Sequence, residues 1–300
     1  MAQIREIRKR MVAVGTIQRI TKTMQMIATA KFTAAVARAK ATKPYTTRIR
    51  QLVAEVSAAA GDVEHPLISG PAEPANRELL LVIASDRGLC GAYNSNVLRK
   101  ALHHIRALRT RNVAFNLETS GKKAVGFFKF LQIPVTHKHS IGDKPKYEEV
   151  ERLASRYIQE FTAGKFDAVR VAYMRFESNS RQVPELIQLL PLKTVPAQTA
   201  QSSTADTAAG QGAATANYDF SPSSEALLAD LLPLTVKTAL FQAFNDAVVS
   251  EQIMRMVAMK AATENAKDLG KNLRRQFNRA RQTKITTELT EIVSGAAALE

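Results

Sequence analysis

The sequence predicts an α/β protein in which two long terminal helices form an antiparallel coiled coil and bracket a central Rossmann-like α/β domain. Three observations carry this reading. Residues 1–58 repeat apolar side chains at steps of three and four. Residues 77–195 alternate short β-rich runs with helical stretches. Residues 221–299 are almost free of helix breakers. The balance of 45% hydrophobic and 23% charged residues in a chain of 300 excludes wholesale disorder and allows about two domains.

In the first helix, 1–58, Ile4, Ile7, Met11 and Val14 follow a heptad. The apolar positions then step by three to Ile17 and Ile20 before Met24 and Ile27, which predicts a stammer. Gly15 beside it costs about 1 kcal/mol relative to alanine. Pro44 lacks a backbone donor and predicts a kink or interruption. The stripe resumes at Ile49, Val53 and Val56. Gly61, Pro66, Gly70, Pro71 and Pro74 then break the chain.

The middle region, 77–195, reads as strands at 79–84, 113–119, 135–139, 168–176 and 184–192. Helices are expected at 94–109, 122–131 and 147–162. This order implies a small, mostly parallel sheet covered by helices. Residues 196–220 are expected to be a flexible low-complexity loop, because their Ala, Thr, Ser, Gln and Gly cannot build a core. Ser221-Pro222, with Glu225 in the first turn, signals the start of the second long helix, 221–299. That helix is about 110 Å long if fully helical. It ends on Ile285, Leu289, Ile292 and Ala296 at heptad spacing. So small a domain cannot bury two such stripes, so the helices are expected to pair with each other.

Several functions are excluded at this stage. Cys90 is the single cysteine, so an intramolecular disulfide, a CxxC zinc site and a cysteine-pair switch cannot form. The longest continuous apolar run, 79–84, is far short of the roughly 18 residues of a membrane span. The basic N-terminus has the charge of a transit peptide, but residues 1–50 contain no serine. Met1 is therefore read as the native start of a chain retained inside the cell.

Charge is the strongest clue. Lys and Arg number 42 against 27 acids, a formal net charge of +15. This points to nucleic acid, an anionic membrane surface or an acidic protein. Residues 1–50 carry twelve Lys/Arg and one acid, Glu6. Lys267, Lys271, Arg274, Arg275, Arg279, Arg281 and Lys284 form a second cluster. The basic helices could be a solvated face, a nucleic-acid surface without base-stacking aromatics, or a shaft held in an acidic protein sleeve.

The segment 85–94 (SDRGLCGAYN) follows a strand and opens a helix, where phosphate loops sit. It lacks both GxGxxG and the GK[ST] ending, so Gly88, Cys90 and Gly91 read as a structural turn. A Cys90 nucleophile or phosphate-loop enzyme is the competing possibility. His103 and His104 diverge on a helix. His137 and His139 are expected to share a strand face with no Cys, Asp or Glu alongside, so neither pair is read as a metal site. Met24, Met26, Met254, Met256 and Met259 fit either a pliable interface or a plain helical core.

Four stretches are similar to one family. ITKTMQMIA at 20–28, the 85–94 turn, SEQIMRMVAMKAATEN at 250–265 and NRARQTKITTELTEIVSGAAAL at 278–299 resemble the γ subunit of F-type ATP synthases. The resemblance implies a non-catalytic central-stalk rotor that couples proton flow to ATP synthesis or hydrolysis by rotating inside the α/β ring. It implies as partners the α and β subunits, the ε subunit and the c-subunit ring, with no specific nucleic acid and no cofactor or metal. It implies a peripheral location on the cytoplasmic face of a bacterial inner membrane. By motif position it places Met24, Arg255, Arg281 and Gln282 at rotor–β contacts. The plant-type cysteine-pair insert is excluded by Cys90 standing alone.

Overall fold

The computed structural model describes residues 2–60, 65–71, 74–192 and 224–297. The expected loop at 196–220 and the Ser221-Pro222 start lie outside the described residues. In order, the elements are α1 (Ala2–Ala60), α2 (Pro66–Ser69), β1 (Arg77–Ile83), α3 (Tyr93–Thr110), β2 (Ala114–Ser120), α4 (Lys122–Phe130), β3 (His137–His139), α5 (Tyr147–Thr162), β4 (Ala168–Phe176), β5 (Gln182–Leu190) and α6 (Ser224–Ala297). The short helix α2 lies inside the predicted breaker zone. Pro66 supplies its first turn, and the His65 ring nitrogen accepts from Leu67 N–H at 3.1 Å.

The strands form one sheet in the order β3-β2-β1-β4-β5. β1 runs parallel to β2 and β4, and β2 parallel to β3, while β5 is antiparallel to β4. This is a doubly wound order with an antiparallel edge. The crossovers β1-α3-β2 and β2-α4-β3 advance in one direction, so right-handedness puts α3 and α4 on one face. The connection through α5 runs back across the sheet and falls on the other.

The chain divides into two compact units. One comprises Phe32–Gly88 and Ala92–Glu251. On one face of its sheet, Leu79, Leu81, Ile83, Val169 and Val171 pack with Val150, Tyr157 and Phe161 of α5, Val56 of α1, and Leu228, Leu232, Leu240 and Phe244 of α6. Leu80, Val82, Ala172 and Met174 alternate onto the α3 face and are also buried. One window of α6 is long and apolar enough to cross a membrane, yet its N-terminal apolar residues are core residues of this unit.

α1 is continuous through Pro44, so of the expected kink or interruption the interruption does not occur. Ala35 packs with Val248 and Val249 before the proline, and Val56 enters the sheet core after it. Packing on both sides of the missing hydrogen bond holds the helix together.

The other unit comprises Met1–Lys31, Leu89–Gly91 and Gln252–Glu300. Here α1 and α6 pair antiparallel. Thr21 meets Thr263, and Gly270 meets Val14, whose Cγ1 lies 3.8 Å from where a glycine Cβ would stand. Ile7, Met11, Val14, Ala266 and Leu273 form its apolar core.

The predicted stammer is absent. Between residues 4 and 28 the buried or half-buried positions of α1 include 4, 7, 11, 14, 18, 21, 25 and 28, an unbroken heptad, with half-buried Gly15 and Met24 beside it. Gln18, Thr21 and Gln25 occupy the inward positions, while Ile17, Ile20 and Ile27 are exposed. Apolarity alone pointed to the wrong side of the helix. Gly15 therefore marks no adjustment, and a Cβ there would meet nothing within 4 Å.

The end of α6 also departs from expectation. The register that joins Thr21 to Thr263 exhausts α1 near residue 282 of α6. Residues 285–295 are all exposed, including Ile285, Leu289 and Ile292, so their heptad spacing has no partner among the described residues.

Candidate partner-contact surface

The helix pair presents two kinds of side chain to solvent. Arg5, Arg8, Lys9, Arg19 and Lys22 of α1 are exposed, as are Lys267, Arg274, Arg275, Arg279 and Arg281 of α6. Three ion pairs along these segments are local to one helix: Arg10–Glu6 at 2.5 Å, Lys271–Asp268 at 3.2 Å and Lys284–Glu288 at 3.2 Å. Such exposed pairs neutralise little. Among these cations stand the exposed apolar residues Ile17, Ile20, Met26, Ile27, Ile285, Leu289 and Ile292. Cations mixed with large exposed apolar side chains form a surface suited to burial against another protein.

Of the four sequence-predicted contact residues, Arg281 and Gln282 are exposed and Met24 is half-buried. Arg255 is only 9% exposed, which leaves it little surface to offer. Ile17 and Ile20, expected in the helical stripe, are exposed, and Met26, open between interface and core, is exposed as well. Their signal is that they fall off the heptad that Gln18, Thr21 and Gln25 continue.

The 85–94 turn is satisfied by its own groups. The Ser85 N–H donates to Asn94 Oδ1 at 3.1 Å, the Ser85 hydroxyl donates to the Arg87 carbonyl at 2.7 Å, and the Lys122 N–H donates to Asp86 Oδ1 at 3.0 Å. Cys90 is buried, Gly88 half-buried, and Gly91 has φ +59° with Ala258 and Met254 within 4 Å of its missing Cβ. The glycine with least freedom nearby is Gly121, which was not singled out. At φ +101°, a Cβ there would lie 2.1 Å from the Ala84 carbonyl oxygen. The cavity lined by Asp86, Gly121 and Glu251, at the C-terminal ends of the parallel strands, is about 20 Å³, the size of one water.

The histidines are arranged differently from expectation. His103 is exposed, while His104 is buried with its Nε2 2.5 Å from Glu78 Oε1. His137 and His139 do have an acid alongside, because the β2–β3 register sets Glu118 opposite His137. The buried Glu118 carboxylate accepts from His139 Nε2 at 2.7 Å, Arg156 at 2.5 Å and the Tyr157 hydroxyl at 2.8 Å. Burial works against its charge, but these hydrogen bonds and the Arg156 guanidinium outweigh burial and hold its pKa below the ordinary value. The same carboxylate, after burial itself, pushes the Tyr157 phenol well up. No group of three or more His, Cys, Asp or Glu arranged to hold a metal occurs among the described residues.

An antiparallel helix pair with such an exterior defines a subunit that works through protein contacts. The comparisons agree. A family model described as ATP synthase matches residues 3–299. The chain is 40% identical to the ATP synthase gamma chain of Rhodopirellula baltica, and 36% identical to those of Leptospira biflexa and Desulforudis audaxviator, with 100% of both chains covered in each case. The chain belongs to the ATP synthase gamma chain family. Its fold matches the rotor of the Euglena gracilis mitochondrial ATP synthase, with a TM-score of 0.61 at 18% identity over 95% of this chain and 99% of that one. It also matches a chain of the central stalk and c ring of the Tetrahymena thermophila mitochondrial enzyme, with a TM-score of 0.56 at 22% identity over 81% and 99%.

Proposed function

We propose that this chain is the central-stalk rotor subunit of an F-type ATP synthase. It couples proton flow through the membrane sector to ATP synthesis or hydrolysis at the β subunits by turning inside the α/β ring. The observation that carries this reading is the antiparallel helix pair whose exterior bears both cations and large apolar side chains. A rotor needs a stiff pair of helices and a surface whose contacts differ from one β site to the next, so that each orientation biases one site.

The chain itself is non-catalytic in this reading. Arg281 and Gln282, exposed near the start of the unpaired end of α6, make the rotor–β contacts together with Met24. Arg255 belongs to the same set of rotor–β contacts and, at 9% exposed, offers it the least surface. Gly88, Cys90 and Gly91 act as a structural turn. The partners are the α and β subunits, the ε subunit and the c ring, and the complex sits on the cytoplasmic face of a bacterial inner membrane.

Co-expression with α and β subunits, followed by size exclusion and an ATPase assay, tests this. One copy of this chain per α/β ring, with activity that depends on it, is the expected result. Coupled synthesis by the whole complex, membrane sector included, that is unchanged after deletion of residues 282–300 would overturn the rotor–β assignment.

A further inference from the structure

Residues 87–142 carry ten Lys/Arg against a single acid, Glu118. That acid is buried and already engaged by His139, Arg156 and Tyr157. A large share of the positive charge therefore lies on the α3–α4 layer. Arg99, Lys100, Arg106 and Arg109 of α3 and Lys122 and Lys129 of α4 are all exposed. None of these six is in an ion pair among the described residues. Arg109 lies over the Phe115 ring, 5.8 Å from its centroid, which leaves its charge in place. Helix α3 contains no acid at all.

We propose that the α3–α4 face is a docking surface for an acidic amphipathic helix of a protein partner. Along α3, Arg99, His103, Arg106 and Arg109 follow one another at steps of four, three and three. That spacing is about 4.5–6 Å along the axis, the spacing of carboxylates at i, i+3 and i+4 on a second helix. Arginine forks grip carboxylates two bonds at a time. Phe130, 84% exposed, and the adjoining exposed Leu131 give such a helix an apolar anchor at the end of α4. A bilayer fits less well. The apolar side of α3, with Val97, Ala101, Ile105 and Leu108, is buried and cannot insert. Single-stranded nucleic acid would find one exposed aromatic, Phe130, on which to stack.

The test uses the full-length chain and does not depend on the rotor reading, which is tested by assembly with α and β. Three probes are titrated: a synthetic helical peptide with glutamates at i, i+3 and i+7 and a leucine stripe, a DNA oligonucleotide, and phosphatidylcholine vesicles containing phosphatidylglycerol. The variant Arg99→Glu/Arg106→Glu/Arg109→Glu is compared with Lys271→Glu/Arg274→Glu/Arg275→Glu, each checked for folding by circular dichroism. The peptide is expected to bind about tenfold more weakly to the α3 variant and to be nearly indifferent to the α6 variant. Equal losses in both variants, or no loss in the α3 variant, overturn the proposal. So does DNA or vesicle binding that depends on α3 when peptide binding does not.

Discussion

The Thr263 hydroxyl lies 2.8 Å from the Thr21 hydroxyl across the antiparallel pair of α1 and α6. Both residues are half-buried. Each hydroxyl can also turn to its own helix, Thr21 to the Gln18 carbonyl at 3.1 Å and Thr263 to the Met259 carbonyl at 2.8 Å. With one proton per hydroxyl, one threonine donates across the interface and the other donates backward. The pair is a polar layer that rewards a single register, since sliding by a turn separates the two groups.

The two threonines are therefore expected to be coupled. Thr263→Val alone should cost about 1 kcal/mol, because Thr21 loses its partner in a partly dry interface. The double change Thr21→Val/Thr263→Val should recover most of that loss, since two apolar groups of similar shape replace the pair. Urea unfolding of the wild type, both single variants and the double variant measures the coupling. Strict additivity would show that the layer does not act as a pair.

The Glu118 carboxylate makes stability depend on pH. Its folded pKa is held below the ordinary value, chiefly by hydrogen bonds from His139, Tyr157 and Arg156 acting against burial. A carboxylate depressed in this way stabilises the fold fully above its unfolded pKa, about 4. The contribution fades as pH falls through the lower folded value. Glu118→Gln should cost about 2 kcal/mol near neutral pH, and its deficit relative to the wild type should shrink as pH drops below about 4. Thermal melts of the two proteins from pH 7 to pH 3 check the sign; a deficit that grows on acidification contradicts it.

Gly121 and Gly15 should respond in opposite directions to alanine. At Gly121 the new Cβ would stand 2.1 Å from the Ala84 carbonyl oxygen at a φ of +101°, so the β2–α4 turn must move. A loss of more than about 3 kcal/mol is expected. At Gly15 nothing lies within 4 Å of the missing Cβ, and the residue is inside α1. Alanine there should stabilise the chain by about 0.5–1 kcal/mol through helix propensity. Denaturant midpoints for the two variants settle both predictions in one experiment.

These contrasts show what was legible in the sequence. Period-2 runs and turn signals located β1, β2 and β4 to within about two residues, because a buried strand must alternate or be apolar throughout. The antiparallel direction of β5 was legible but unread: residues 177–183, the gap between the two expected strands, are too few for the crossover a parallel pair needs. The course of α1 was misread at Ile17 and Ile20. A core reading assigns apolar residues inward, whereas this helix turns Gln18, Thr21 and Gln25 inward and leaves isoleucines outside. The acid beside His137 and His139 was invisible, because the β2–β3 register, not sequence spacing, brings Glu118 to them.

The exposed isoleucines give the last prediction. Ile285 and Leu289 lie past the end of the α1–α6 pairing, 54% and 61% exposed, outside the core formed by the described residues. Replacing either with aspartate removes no intrachain packing, so the isolated chain should keep its stability to within about 0.5 kcal/mol. In an assembled complex the same side chains enter a protein environment under the rotor reading, and a buried, unpaired carboxylate there is costly. Ile285→Asp and Leu289→Asp should therefore weaken assembly or ATPase coupling with α and β while leaving the melting curve of the free chain unchanged. Val14→Asp, inside the helix pair, serves as the opposite control and should unfold the pair before any partner is added. If the two tip variants instead lowered the stability of the free chain as Val14→Asp does, the end of α6 would have an intrachain partner. If they altered neither stability nor assembly, the apolar tip would not be a contact surface, and the rotor–β contacts would have to lie elsewhere on the pair.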